Sequence, residues 1–268
     1  MIGIVLKRAF EEYFSNARVM VSFGVLFVFL AVFAFFNQFF FTAGTVFLSF
    51  DISLLGAIGL VLVLVFLYVF SFFVSLTVYS VHRDVQNISF DTYWNGLFRV
   101  AALRIFVLYL IVAIVLYIIS VIGFMYGFTL IALIINLIIA LLVMFAPQSI
   151  VLDEAKVGEA VGKSIEFWFS KTLTAIGILV IASVILFVAV FIELYLELAA
   201  LPGSIVSFFI IMVFLVPFIE QSKSYAYLMK VDLLKSNEFV HARAPRIERV
   251  KFKHATRLRE QPRNGSKI

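Results

Sequence analysis

Long uncharged apolar stretches alternate along this chain with short connections that hold most of the charge before a basic end segment. Charged side chains are costly at mid-bilayer, so the gaps between Lys, Arg, Asp and Glu locate candidate membrane spans. Arg18 to Asp51 holds the first, about 19–36, followed by a segment with Asn37, Gln38, Thr42, Gly44 and Thr45 that suits an outer re-entrant or interfacial loop. Asp51 to Arg83 holds the second, about 54–79. Between Arg104 and Asp153 lie 48 residues without a formal charge. As one helix they would run about 72 Å, more than twice a hydrocarbon core of about 30 Å, so they must fold back on themselves. They make a third span at about 105–122 and a fourth at about 128–147, with Gly123 and Gly127 at the turn. A fifth follows at about 173–192 and a sixth at about 204–220, separated by the helix-breaking Leu201-Pro202-Gly203.

Amphipathic stretches precede the odd-numbered spans. In the first 18 residues, Ile2, Val5, Ala9, Phe10, Tyr13 and Ala17 follow a helical period, with Lys7, Arg8, Glu11, Glu12, Ser15 and Arg18 opposite. Such a helix is expected to lie in the membrane interface. A second interfacial helix is expected after span two, where Tyr93 and Trp94 are interface-type aromatics. The third follows Asp153, its expected N-cap, with Val157, Ala160, Val161, Ile165, Trp168 and Phe169 as its apolar stripe. AFEEYFSNA (9–17) aligns with SIEFWFSKT (164–172), and FAPQS (145–149) with LVPFI (215–219), which places Pro147 beside Pro217. The expected fold is therefore all-α and integral to the membrane: six transmembrane helices as three helical hairpins, each preceded by an interfacial amphipathic helix. Parallel repetition of this kind can frame a central path or pocket. The two prolines are candidate hinges or span ends.

Charge sets the orientation. The three outer connections contain no Lys or Arg and hold only Asp51, Glu193 and Glu197, while all 21 basic residues fall on the opposite side. The excess of Lys and Arg marks the cytoplasmic side, so both termini of a multi-pass plasma-membrane protein are expected there. Residues 1–235 form the membrane domain and 236–268 a basic cytoplasmic tail. Its Arg243, Arg246, Arg249, Lys251, Lys253, Arg257 and Arg259 are candidate contacts for anionic lipid headgroups. Phe252 is its one aromatic after Phe239, which gives no stacking platform for nucleic acid.

Composition agrees: 64% of residues are hydrophobic and 14% charged, with a mean hydropathy of +1.13, which excludes a soluble globular class. The first apolar run is longer than the core of a cleaved signal peptide and lacks a small-x-small site after it, so it reads as a retained span. The absence of cysteine removes disulfide, thiolate-metal and cysteine-nucleophile chemistry. His82, His241 and His254 have no metal-ligand spacing and read as solvated. Glu193 and Glu197 share a helix face and could meet a divalent cation, but such residues ordinarily solvate a helix end. The spans hold no ionisable side chain. Their main polar groups are Asn136, Ser71, Ser75, Thr77, Ser120, Thr129, Ser183 and Ser207, which argues against a proton-coupled pump or an intramembrane protease. No catalytic, cofactor or metal constellation emerges.

Pro147, the run Ile150-Val151-Leu152-Asp153, and the following Ala160 and Ser164 carry a family resemblance. Over roughly residues 1–235 the chain resembles the six-helix prokaryotic membrane family that includes the membrane domain attached to some glycerophosphodiester phosphodiesterases. The resemblance implies the six-helix fold. It implies no hydrolase activity, because the His and Glu cluster of the soluble phosphodiesterase domain is absent here. The expectation is a non-enzymatic membrane protein that binds lipids or scaffolds a membrane or cytoplasmic protein partner; the alternative is a transporter or channel for an apolar or lipid-like substrate.

Overall fold

The computed structural model describes residues 2–15, 23–26, 28–29, 33, 39–42, 45–48, 53–86 and 90–230. Much of the first expected span and the whole basic tail, with Arg243, Arg246, Arg249, Lys251, Lys253, Arg257 and Arg259, lie outside these residues, as do Asp51, His241 and His254. The described helices are α1 (Ile2–Ser15), α2 (Leu54–Gln86), α3 (Phe90–Met125), α4 (Thr129–Val143), α5 (Ala146–Leu152), α6 (Val157–Ser170), α7 (Thr172–Leu198), α8 (Gly203–Ile210) and α9 (Val216–Lys230). A π-helical segment, Ile211–Leu215, joins α8 to α9 without a break. The segment expected as an outer loop contains a short antiparallel pair, β1 (Phe39–Thr42) and β2 (Thr45–Leu48), with Phe39 opposite Leu48. Its aromatic and β-branched residues favour that pairing over a helix.

Among the described residues, five helical stretches are long and apolar enough to cross a membrane: Leu54–His82, Val100–Met125, Thr129–Leu152, Thr172–Leu198 and Gly203–Met229. They overlie the second to sixth expected spans, and the chain is a multi-pass helical membrane protein. Its α3–α4 turn depends on two glycines. Gly127 has φ of 73°, and the Phe128 N–H reaches back to the Gly123 carbonyl at 2.7 Å. A Cβ on Gly123 would overlap that of Ala132, so glycine lets α3 and α4 close on each other. At the α7–α8 turn, Ala200 takes φ of 57° and Gly203 packs against the Glu193 carbonyl.

One amphipathic expectation changes. No separate interfacial helix precedes the third span, because α3 runs unbroken for 36 residues from Phe90. That stretch contains no proline, and the helix passes through Gly96. The first amphipathic stretch forms α1, which is joined to the bundle. It packs lengthwise on α9: Val5 and Ala9 join the buried cluster of Tyr225, Ala226, Tyr227 and Leu228, while Tyr13 reaches Val213. Residues 5, 9 and 13 lie four apart, so these three contacts share one face of α1.

The core gathers at the end of the bundle where Arg104, Lys163 and Lys223 lie, called here the basic end. Phe145 and Phe167 pack at 4.3 Å between ring centroids, and Phe167 stacks on Tyr227 at 5.5 Å. Val74, Val78, Ile105, Leu108, Ile150 and Val151 form the neighbouring cluster. Toward the opposite end the helices expose apolar faces, including Tyr117, Phe124 and Leu130. In a bilayer, hydrocarbon covers such faces.

Candidate functional site: a polar layer at the basic end

The layer starts from a break in the fourth span. Helix α4 ends at Val143, and α5 begins after Phe145 with Pro147 in its first turn, where the missing proline N–H has no helical partner to lose. A break in the helix leaves backbone groups that must find other partners. The Ser164 hydroxyl donates to the Leu142 carbonyl at 2.6 Å and accepts from the Phe145 N–H at 3.1 Å. The Lys223 ammonium donates to the Met144 carbonyl at 3.0 Å. Side chains of α6 and α9 thus complete the backbone of the α4–α5 joint.

Lys223 also pairs with Glu220 at 2.5 Å, and the Gln148 amide donates to the other Glu220 oxygen at 2.8 Å. Glu220 and Lys223 are each 6% exposed and Gln148 is fully buried. Two charges removed from water are tolerated only when paired and hydrogen-bonded, as both are here. The second Gln148 amide atom, both Gln221 amide atoms and the Ser75 hydroxyl are buried without a hydrogen-bond partner among the described residues. The layer is therefore rich in polar groups held close to an ion pair.

The turn after α5 is clamped from three helices. The Asp153 carboxylate accepts from Lys163 at 2.8 Å and from the Tyr227 hydroxyl at 2.7 Å. Arg104 donates to the Glu154 carbonyl at 2.7 Å. Glu154 has φ of 54°, a left-handed conformation that a side chain resists, and the Arg104 contact helps hold it. Asp153 is not the N-cap of α6, contrary to expectation. It closes α5, while α6 starts after Lys156, whose N–H points to the Glu159 carboxylate at 3.3 Å. The four-residue connection 153–156 between the helices puts Asp153 too far back to cap α6.

Pro217 occupies a different setting from Pro147. The helix does not end there, because α9 continues to Lys230. Proline offers no N–H to the carbonyl one turn earlier, and that carbonyl belongs to Val213, inside the π segment. The Tyr13 hydroxyl donates to it at 3.0 Å. Burial pushes the Tyr13 phenol up to about 12, so it remains a donor throughout the neutral range. Each candidate hinge proline thus lies at an interruption of helical hydrogen bonding, and an amphipathic helix supplies the missing partner.

Other polar positions fall differently from expectation. His82 is buried rather than solvated, because the second helix runs on past the expected span end into the packed core. Glu193 is buried and accepts from the Ser207 hydroxyl at 2.6 Å, while Glu197 is exposed. Among the described residues no group of His, Cys, Asp and Glu is placed to hold a metal ion. Asn136 donates to Ser120 at 2.8 Å and to the Leu116 carbonyl at 3.3 Å, bridging α3 and α4. Ser71, Thr77, Ser80 and Ser120 donate to carbonyls of their own helices.

The Glu220–Lys223 pair is the feature that charge-gap reading passed over, since both residues mark the end of an uncharged run. The polar sequence Glu220-Gln221-Ser222-Lys223-Ser224 immediately after Pro217 was the available signal. Comparisons with protein-family models, curated proteins and solved structures find no match.

Proposed function

We propose that this chain is a six-span, non-enzymatic plasma-membrane protein with both termini cytoplasmic, which binds lipids or scaffolds a membrane partner at its basic end. The observation that carries this reading is where the polar groups of the spans are spent. Asn136, Ser120, Ser71 and Thr77 bond to neighbouring helices or to their own backbone, instead of converging on a passage. Gln148, Glu220 and Lys223 likewise tie helices together. The first span, expected at 19–36, brings the count to six, and Phe23 and Leu26 from it pack beside Phe73. Confinement of Lys and Arg to one set of connections supports the orientation.

A repeated-hairpin arrangement belongs to the same proposal. Helices α1 and α6 each dock at a proline-containing interruption in matching register: Val5 and Ala160 are buried, as are Ala9 and Ser164, while Glu11, Glu166, Phe14 and Phe169 are exposed. The resemblance to the six-helix family is also retained as a proposal. Of its carrying residues, Pro147, Ile150, Val151, Ala160 and Ser164 are buried at the α4–α5–α6 joint, while Leu152 is half-buried and Asp153 exposed.

Native mass spectrometry of the protein purified in mild detergent tests the reading, with co-purifying lipid or protein expected. Binding of the 237–268 segment to anionic but not neutral vesicles tests the tail; equal binding to both removes its role in lipid recognition. One observation favours transport of an apolar or lipid-like substrate instead. A groove of about 430 Å³ on α7 is lined by Ile176, Leu179, Val180, Ser183, Val184 and Phe187. Lipid translocation in reconstituted vesicles above the protein-free rate would favour that alternative.

A further inference from the structure

Aromatic rings run from α1 to the π-helical segment and α8 as a ladder. Phe10 and Phe14 lie 5.0 Å apart, Tyr13 5.5 Å from Phe14, Phe214 6.2 Å from Tyr13, and Phe209 6.3 Å from Phe214. Tyr13 is buried, but the other four rings are 41–63% exposed. The bond from Tyr13 to Val213 fixes this ladder against the stretch Gly203–Met229, one of those apolar enough to span the membrane. At that depth the material that can cover exposed rings is acyl chain.

On α1, toward the basic end, the ladder is flanked by two opposite charges. Lys7 and Glu11 stand 3.8 Å apart with side chains 78% and 62% exposed. They share a helix face, and their long side chains can extend toward the headgroup region. We propose that this seam binds one zwitterionic phospholipid bearing a primary ammonium. The phosphate lies against Lys7, the ammonium donates to Glu11, and one acyl chain follows Phe10, Phe14, Phe214 and Phe209.

The chemistry selects among headgroups. An anionic headgroup with no ammonium answers Lys7 but faces repulsion from Glu11. A choline headgroup carries charge but no N–H to donate to a carboxylate. The dimensions fit one leaflet: Lys7 to Phe14 covers about 10 Å of helix and Phe209 to Phe214 about 8 Å, against about 15 Å for half a hydrocarbon core. The assignment rests on the lipid-binding reading above, but concerns a different lipid class and a different surface from the basic tail.

The test uses the full chain carrying Phe14→Trp, with Trp94→Phe and Trp168→Phe to remove the native indoles, reconstituted in vesicles. Chain-brominated phosphatidylethanolamine, phosphatidylcholine or phosphatidylglycerol is added at equal fraction. Quenching by phosphatidylethanolamine is expected to show about a two- to fivefold tighter apparent association than the other two, the range of an exposed charge contact. Glu11→Gln should abolish the preference and leave the quenching by the chain. A Phe209→Trp reporter in the same background repeats the measurement from the deeper end of the ladder. Equal quenching by all three lipids, or a preference for phosphatidylglycerol, overturns the proposal. If native mass spectrometry still finds lipid on the wild-type protein in that case, this site fails while the broader lipid-binding reading stands.

Discussion

The hydroxyl of Tyr13 donates to the carbonyl of Val213, 200 residues away, at 3.0 Å. It supplies the hydrogen bond that Pro217 cannot make, and so joins the N-terminal helix to the interruption in the last one. Tyr13→Phe should destabilise the protein by about 1–3 kcal/mol, the cost of leaving a buried carbonyl unpaired. In a Pro217→Ala background, which restores a backbone donor, the same change should cost less, with a coupling of about 0.5–3 kcal/mol. Unfolding of all four variants in mixed micelles measures this cycle, and strict additivity would show the two residues to be unlinked.

The buried pair of Glu220 and Lys223 gives a second expectation. Glu220→Gln or Lys223→Met alone should cost about 3–5 kcal/mol, because each leaves an uncompensated charge away from water. The joint change Glu220→Leu with Lys223→Met should cost less than the two single changes together. The same unfolding measurement decides it. Single-variant losses no larger than those of an exposed ion pair would mean that water reaches the pair.

At the α3–α4 turn, Gly123→Leu should separate the two helices, because even a Cβ there overlaps Ala132. The expected loss is about 1–3 kcal/mol, the usual cost of overpacking. Gly127→Ala has open space around its Cβ and meets only the positive φ, so it should cost about 1 kcal/mol. A larger loss at 127 than at 123 would contradict the close approach of the helices.

Because the chain contains no cysteine, single thiols report topology directly. Cysteine placed at Lys156 should react with a membrane-impermeant reagent only from the cytoplasmic side, and cysteine placed at Ala199 only from outside. Labelling of intact cells and of inverted vesicles checks both. Reaction of the two positions from the same side would break the six-span arrangement.

Fold class and helix positions were legible in the sequence for a local reason. A bilayer requires each crossing helix to be apolar along about 20 residues, and that requirement is met residue by residue within each segment. The 48-residue uncharged stretch, Gly127 and Pro202 accordingly marked helices and turns that the structure contains. The polar layer was not legible in the same way. Glu220 and Lys223 read as the boundary of a span, and Asp153 as the start of a helix, because a charge next to an apolar run ordinarily faces water.

The sequence by itself determined that this is a multi-pass helical membrane protein, because solvent incompatibility with a bilayer acts on each side chain separately. Only the tertiary structure decided that Ser164 and Lys223 would complete the broken fourth span, that Tyr13 would serve the carbonyl of Val213, and that α1 would pack along α9. Those outcomes depend on which buried donor comes within hydrogen-bonding distance of which acceptor. That distance is set by how the helices pack, and residues far apart in the chain carry no local mark of it.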